Sequence, residues 1–294
     1  MAGLAAQSKG RVAIIAGSGS IPVFVAETLR EQGTEPFVIA IEGEADPALQ
    51  RFEHVTITTA QIGRLMSALN RIKPADVVLV GGVRGRPRLS SLRPDLATVH
   101  LLLRVVSKLR SGDDVLLRGV VDMIEEEGFR VRGVHELVPE LLAPEGQIAG
   151  PQPARSDRDA LTTAVAGALA LGRLDAGQAC VAIGQRIVAL EAAEGTDAML
   201  RRVAELRDEG RLPTQRGGVL VKLAKPGQEL RADLPTIGPA TVENAARAKL
   251  SGIAVHAGRA LVAEFDETCA KAKDLGVFLV GVVPEAEDLE RVGG

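Results

Sequence analysis

The chain has 294 residues, 46% apolar and 25% charged, which fits two compact domains at about 100 to 200 residues each and argues against disorder. Its 35 Lys and Arg against 38 Asp and Glu leave a net charge of −3. With no Trp or Tyr and only six Phe, it lacks both the basic bias and the stacking surface of a nucleic-acid binder, so no nucleic-acid partner is expected. Cys180 and Cys269 have no Cys-x-x-Cys spacing and read as buried thiols in a reducing compartment. Residues 1–10 read as a flexible leader without the apolar core of a secretory signal. The longest weakly polar run, 160–172, is shorter than the ~20 residues a membrane span requires, and the expected location is the cytoplasm.

In chain order, residues 11–16 form an apolar run ending in Gly-Ser-Gly-Ser, the pattern of a buried parallel strand entering a turn. A helix over 21–32 follows, with Pro22 in its first turn and Gly33 ending it. The spacing then predicts a strand at 37–41, a helix at 61–72 and a strand at 76–80 stopped by Gly81 and Gly82. Helices at 96–109 and 113–127 and a strand at 129–134 complete the first part. This alternation predicts a Rossmann-like open parallel sheet over 11–143. Residues 144–155 have neither a strand nor a helix period and are expected to be a linker.

A second, smaller α/β domain with a mixed sheet is expected over 156–285. Its predicted helices are 156–171, 197–207, 240–249 and 267–275. Its predicted strands are 179–183, 187–190, 219–224, 253–255, 260–263 and 277–283.

Four segments carry candidate chemistry. Gly17, Ser18 and Gly19 lie between a strand and a helix, where backbone N–H groups and the helix dipole favour an anion. Pro22 stands where a dinucleotide fingerprint needs Gly, which disfavours NAD. Gly82 and Arg84 begin the loop after the strand at 76–80, which continues through Arg86, Arg88 and Arg93. Guanidinium forks suit phosphate oxygens, although a solvated basic loop explains the cluster equally well. In the second half, Thr196 reads as an N-cap, with Asp197 meeting the helix dipole. Glu191, Glu194 and Asp197 together would also suit Mg2+, a hard cation that takes one or two carboxylates plus phosphate oxygens. The densest segment, residues 222–238, sets Lys222, Lys225, Gln228, Arg231 and Asp233 among Pro226, Gly227 and Pro235. A stiff loop that aims cations inward is what positioning a polyphosphate requires. The four histidines are far apart, and there is no Walker loop or nucleophile elbow, so zinc and covalent catalysis gain no support.

The stretches IIAGSGSIP, GDDVLLR at 112–118, GVHEL at 133–137, EGTDAMLRR at 194–202 and KLAKPGQELRADLPTIG together resemble the LpxI-type UDP-2,3-diacylglucosamine pyrophosphatases of lipid A biosynthesis. The resemblance covers almost the whole chain after the leader. It implies Mg2+-dependent hydrolysis of the pyrophosphate of UDP-2,3-diacylglucosamine to UMP and 2,3-diacylglucosamine 1-phosphate. It also implies attack at the phosphorus nearer the sugar, in two α/β domains with the substrate between them and the second domain catalytic.

By motif, Asp233 corresponds to the essential family aspartate, as metal ligand or general base, and Thr196 with Asp197 to the acidic turn that faces it. Glu194 is a second expected metal ligand. Gly17, Ser18, Gly19, Gly82, Arg84, Thr196, Lys222, Lys225, Gln228 and Arg231 are expected to bind substrate. Glu229 replaces an Asp common in such proteins and is given no catalytic role. A noncatalytic nucleotide-sugar or lipid-binding protein is the alternative. Peripheral contact with the inner membrane and a homodimer are left open.

Overall fold

The computed structural model describes residues 10–83 and 113–284. They divide into two compact units, one of Met1–Glu140 with Glu229–Asp233, the other of Leu141–Gln228 with Leu234–Gly294. The arginine-rich loop with Arg84 and the helix expected at 96–109 lie outside the described residues.

In the first unit, β1 (Val12–Ala16), β2 (Pro36–Ile41), β3 (Glu53–Ile57), β4 (Asp76–Val80) and β5 (Val131–Arg132) form a sheet in the order β3-β2-β1-β4-β5. Every pairing is parallel. β1 and β4 are buried along their whole length, which is why they read as continuous apolar runs rather than alternating ones. Helices α1 (Ile21–Glu31), α2 (Ile62–Ile72) and α3 (Asp113–Glu126) connect the strands, and a short helix α4 (Val134–Leu137) follows β5. Phe37, Ile39, Leu69, Val77 and Ile124 centre the core, and Ala232 packs against it. Asp76 is fully buried at the start of β4, where Arg130 pairs with it directly and Arg132 lies 3.8 Å away. That carboxylate raises the pKa of Arg130, and the pairing offsets the cost of a buried charge.

Among the described residues the second unit carries a six-stranded mixed sheet, as the mixed-sheet α/β domain expected there requires. Its order is β6-β13-β11-β9-β7-β8. The strands are β6 (Gly146–Ala149), β7 (Ala179–Ile183), β8 (Arg186–Leu190), β9 (Val219–Lys222), β11 (Gly252–His256) and β13 (Phe278–Val282). β9, β11 and β13 run parallel, whereas β6, β7 and β8 pair antiparallel. β6 lies within the segment expected as a linker and is held by its ladder to β13. A small parallel pair, β10 (Thr236–Ile237) and β12 (Leu261–Val262), stands apart.

Alternate residues of the sheet feed two cores, as strand geometry requires. Cys180, Val219, Val221 and Phe278 meet Ala160, Ala164 and Ala168 of α5 (Asp157–Arg173). Val181, Leu220, Val255 and Leu279 instead meet Met199 and Leu200 of α6 (Thr196–Asp208), Val242 of α7 (Pro239–Arg247) and Ala272 of α8 (Phe265–Asp274). Burial pushes the Cys180 thiol up to about 12, so it behaves as a small apolar filler.

Candidate active site

The order of the first sheet reverses between β1 and β4, the switch point where ligands of open α/β sheets bind. Two glycine turns meet there. The Gly17 N–H donates to Val80 O at 2.9 Å, and the Ser18 N–H to Gly82 O at 2.7 Å. The Gly82 N–H donates back to Ser18 O at 3.0 Å, and the Ser18 hydroxyl to Gly82 O at 2.9 Å. A Cβ on Gly17 would lie 2.4 Å from Gly82 O. Gly81 has φ +92° and would place a Cβ 2.7 Å from Ser18 O. These glycines let two crossover turns touch. The N–H groups of Gly17 and Ser18 are thereby spent on protein carbonyls, and the open part of the turn is Gly19, at φ +98° with free space around it.

At the same edge, Glu136 Oε1 accepts the Gly133 N–H at 2.8 Å and its Oε2 accepts Arg132 Nε at 3.2 Å. Burial lowers the pKa of the neighbouring His135.

The cation-rich segment is divided between the units: Lys222, Lys225 and Gln228 belong to the second, and Arg231 and Asp233 to the first. Arg231 is gripped by acids. Its Nε and Nη2 donate to the two oxygens of Glu229 at 2.8 and 3.0 Å, and its Nη1 donates to Glu125 at 2.7 Å. This bidentate pairing holds the Glu229 carboxyl below the usual range and raises the Arg231 guanidinium further. The N–H of Asp233 donates to Glu229 O at 3.1 Å, and its side chain is in a half-buried residue.

In the second unit, Lys222 closes β9 and is only 8% exposed. Its Nζ donates to Thr196 Oγ1 at 3.0 Å and to Thr236 O at 3.1 Å. The Thr196 hydroxyl donates to Glu191 Oε1, and Glu191 Oε2 accepts the Gln178 N–H at 3.2 Å. Gly195, not Thr196, holds the N-cap position of α6, at φ +79°. The Thr196 hydroxyl, expected to cap the helix, is instead spent on the buried Glu191. Asp197 Oδ1 accepts Asn244 Nδ2 at 3.1 Å. Glu194 Oε2 accepts the Ala192 N–H at 3.1 Å, and its Oε1 lies 3.6 Å from Arg202. Lys225 pairs with Asp175 at 2.6 Å, while the buried Gln228 folds back to accept the Lys225 N–H at 2.8 Å. His256 ends β11, and burial pushes its imidazole down to about 4.

The family models for the N-terminal and C-terminal domains of LpxI match residues 11–141 and 144–280. The chain is also 41% identical over 276 residues to the UDP-2,3-diacylglucosamine pyrophosphatase LpxI of Caulobacter vibrioides (strain ATCC 19089 / CIP 103742 / CB 15), covering 94% of this chain and 98% of that protein. The chain belongs to the LpxI family.

Within the LpxI C-terminal domain, the structure brings Thr196 together with Lys222, and Lys225 with Gln228. Glu194 and Asp197 flank the start of α6. Gly17, Ser18 and Gly82 come together in the LpxI N-terminal domain, and Arg84 lies outside the described residues. Sequence reasoning grouped Glu191 with its acidic neighbours but did not single it out as a site residue; an acid placed straight after an apolar strand was the available signal. It missed Asp175 altogether, and nothing local links that residue to Lys225, 50 positions away.

For a metal, no cluster of three or more His, Cys, Asp or Glu occurs among the described residues. An all-protein cage is therefore not offered there. Mg2+ is instead commonly held by one or two carboxylates with water and substrate phosphate completing its shell. Glu194 is an acid of that kind in the second unit, with one oxygen taking the Ala192 N–H and the other 3.6 Å from Arg202, and Asp233 is a half-buried acid in the first.

Proposed function

We propose that this protein hydrolyses the pyrophosphate bond of UDP-2,3-diacylglucosamine, releasing UMP and 2,3-diacylglucosamine 1-phosphate for lipid A biosynthesis. The observation that carries the reading is end-to-end similarity to a relative that bears that activity in its name, at 41% identity over 98% of its length. Water adds to the phosphorus nearer the sugar, the bond to the bridging oxygen breaks, and UMP leaves with that oxygen. Negative charge grows on the phosphoryl oxygens, so the protein's main task is to hold cations against them. Lys222, a buried ammonium anchored by two acceptors, serves this role, and Lys225 and Arg231 add charge once released from their carboxylates. Gly19 and the first turn of α1 serve the nucleotide phosphate, together with the Gly17, Ser18 and Gly82 turns that set their position.

Mg2+ is the proposed cofactor, with Asp233 and Glu194 as its protein ligands, and when bound it supplies Lewis-acid stabilisation of phosphoryl charge. Asp233 alternatively takes the proton of the attacking water. The proposed setting is cytoplasmic: both cysteines are free and buried, and among the described residues no helix is long and apolar enough to cross a membrane. Peripheral contact with the inner membrane follows from a substrate that carries two acyl chains. A homodimer is proposed on the free edge of β8, where Ile187 and Leu190 are exposed.

The test measures UMP release by the purified chain with Mg2+ and with a chelator. Release that needs Mg2+ supports the reading, whereas tight substrate binding with no UMP under either condition would make the protein a noncatalytic carrier.

A further inference from the structure

We propose that Glu191 is a positioning residue for Lys222, acting through the Thr196 hydroxyl. The proposal rests on the reading of Lys222 as a group that binds the diphosphate. Glu191 and Lys222 are both buried, at 6% and 8% exposure, and all the groups involved lie within the second unit. A hydroxyl has one proton to give and two lone pairs to accept with. The proton of Thr196 goes to Glu191 Oε1, so its oxygen is turned to Lys222 Nζ at 3.0 Å. Glu191 is itself fixed: Oε2 accepts the Gln178 N–H at 3.2 Å, and its own N–H donates to Ala179 O at 2.9 Å.

An ammonium has three donors, and Lys222 spends one on Thr196 and one on Thr236 O. Its third N–H has no partner among the described residues. Two anchored donors fix the direction of the third, and that remaining donor is the one available to a phosphoryl oxygen of a nucleoside diphosphate sugar. The Glu191 carboxylate, one hydroxyl away, supplies negative charge that makes a buried ammonium tolerable. Without it, Thr196 is free to turn its proton toward Lys222, and the lysine loses both an acceptor and its aim.

Steady-state hydrolysis of UDP-2,3-diacylglucosamine by the full chain tests this with Glu191→Gln, Thr196→Val, Thr196→Ser and Lys222→Met, singly and with Glu191→Gln placed in the Lys222→Met chain. Glu191→Gln and Thr196→Val should each lower kcat/KM by about 10- to 100-fold, the range seen for partners that orient a ligating group. Thr196→Ser should stay near the parent. In the Lys222→Met chain, Glu191→Gln should cost less than about 3-fold, because residues that act through one another are not additive.

A loss from Glu191→Gln of the same size in both backgrounds, or parent-like activity in Glu191→Gln or Thr196→Val, overturns the proposal. Parent-like activity in Lys222→Met overturns instead the reading on which it rests. Should circular dichroism show Glu191→Gln to be unfolded, Thr196→Val, which removes the hydroxyl, and Thr196→Ser, which removes only the methyl, are each compared with the parent. A loss confined to Thr196→Val then supports the relay, while parent-like Thr196→Val overturns it.

Discussion

Three side chains of the cation-rich segment show how differently neighbouring charges are used. Lys222 is anchored by neutral acceptors, Lys225 by Asp175, and Arg231 by Glu229 and Glu125. The Arg231 charge is therefore balanced by carboxylates of its own chain, and Glu229, which carries no expected catalytic role, has a structural one. Because Arg231 holds the Glu229 carboxyl below its ordinary range, the pair's contribution to stability is fully present above the unfolded-state pKa and fades as pH falls through the lower folded-state value. Glu229→Gln should then cost about 0.5 to 1 kcal/mol near neutral pH. Thermal unfolding scans of parent and variant should converge toward strongly acid pH, and a gap that stays constant with pH would remove the ion pair from the explanation. For Asp233→Ala, UMP release should fall by about 100- to 10,000-fold, as for loss of a general base or metal-holding group, while substrate binding persists. Retained turnover would take Asp233 out of the chemistry.

At the level of elements, the turns after β1 and β4 are built for contact with each other. Gly17→Ala would press a methyl group into backbone 2.4 Å away, at a cost of about 1 to 3 kcal/mol. Gly19→Ala meets no atoms and should cost about 1 kcal/mol, through its left-handed backbone alone. Urea denaturation followed at both positions checks that order, and a larger loss at Gly19 would contradict the packing argument. A second device is Arg207, 3% exposed, whose guanidinium donates to the carbonyls of Pro213, Gln215, Gly217 and Lys249 and lashes two loops to α6. Burial lowers its pKa, since only carbonyl oxygens meet it.

The elements that sequence patterning revealed most directly include β1 and β4, whose buried apolar runs need no partner to be recognised. β3 was missed because Glu53, His54 and Thr56 leave an edge strand mostly exposed. β6 was missed because Gly146 and Gln147 resemble a linker and only pairing with β13 makes them a strand. β5 is two residues long rather than six because Gly133 and α4 interrupt it. In the site, Lys222 was legible as one of the charges set among Pro and Gly over residues 222–238, while the partner of Arg231 at Glu125 is 106 positions away and invisible to any local pattern.

For the whole molecule, the chain leaves its second unit after Gln228, contributes Glu229–Asp233 to the first, and returns at Leu234. Two compact units were legible from alternating strands and helices, but this exchange was not, because it depends on Ala232 finding the core of the first unit. Asp233 and Lys222, 11 positions apart in one motif, thus belong to different units. The account is tested most directly by following the phosphorus spectrum of UDP-2,3-diacylglucosamine with the purified full chain, Mg2+ and 18O-enriched water. The diphosphate signals should give way to equal amounts of UMP and 2,3-diacylglucosamine 1-phosphate, with the label on the sugar phosphate. Diphosphate signals that persist unchanged, or the appearance of UDP, would contradict it.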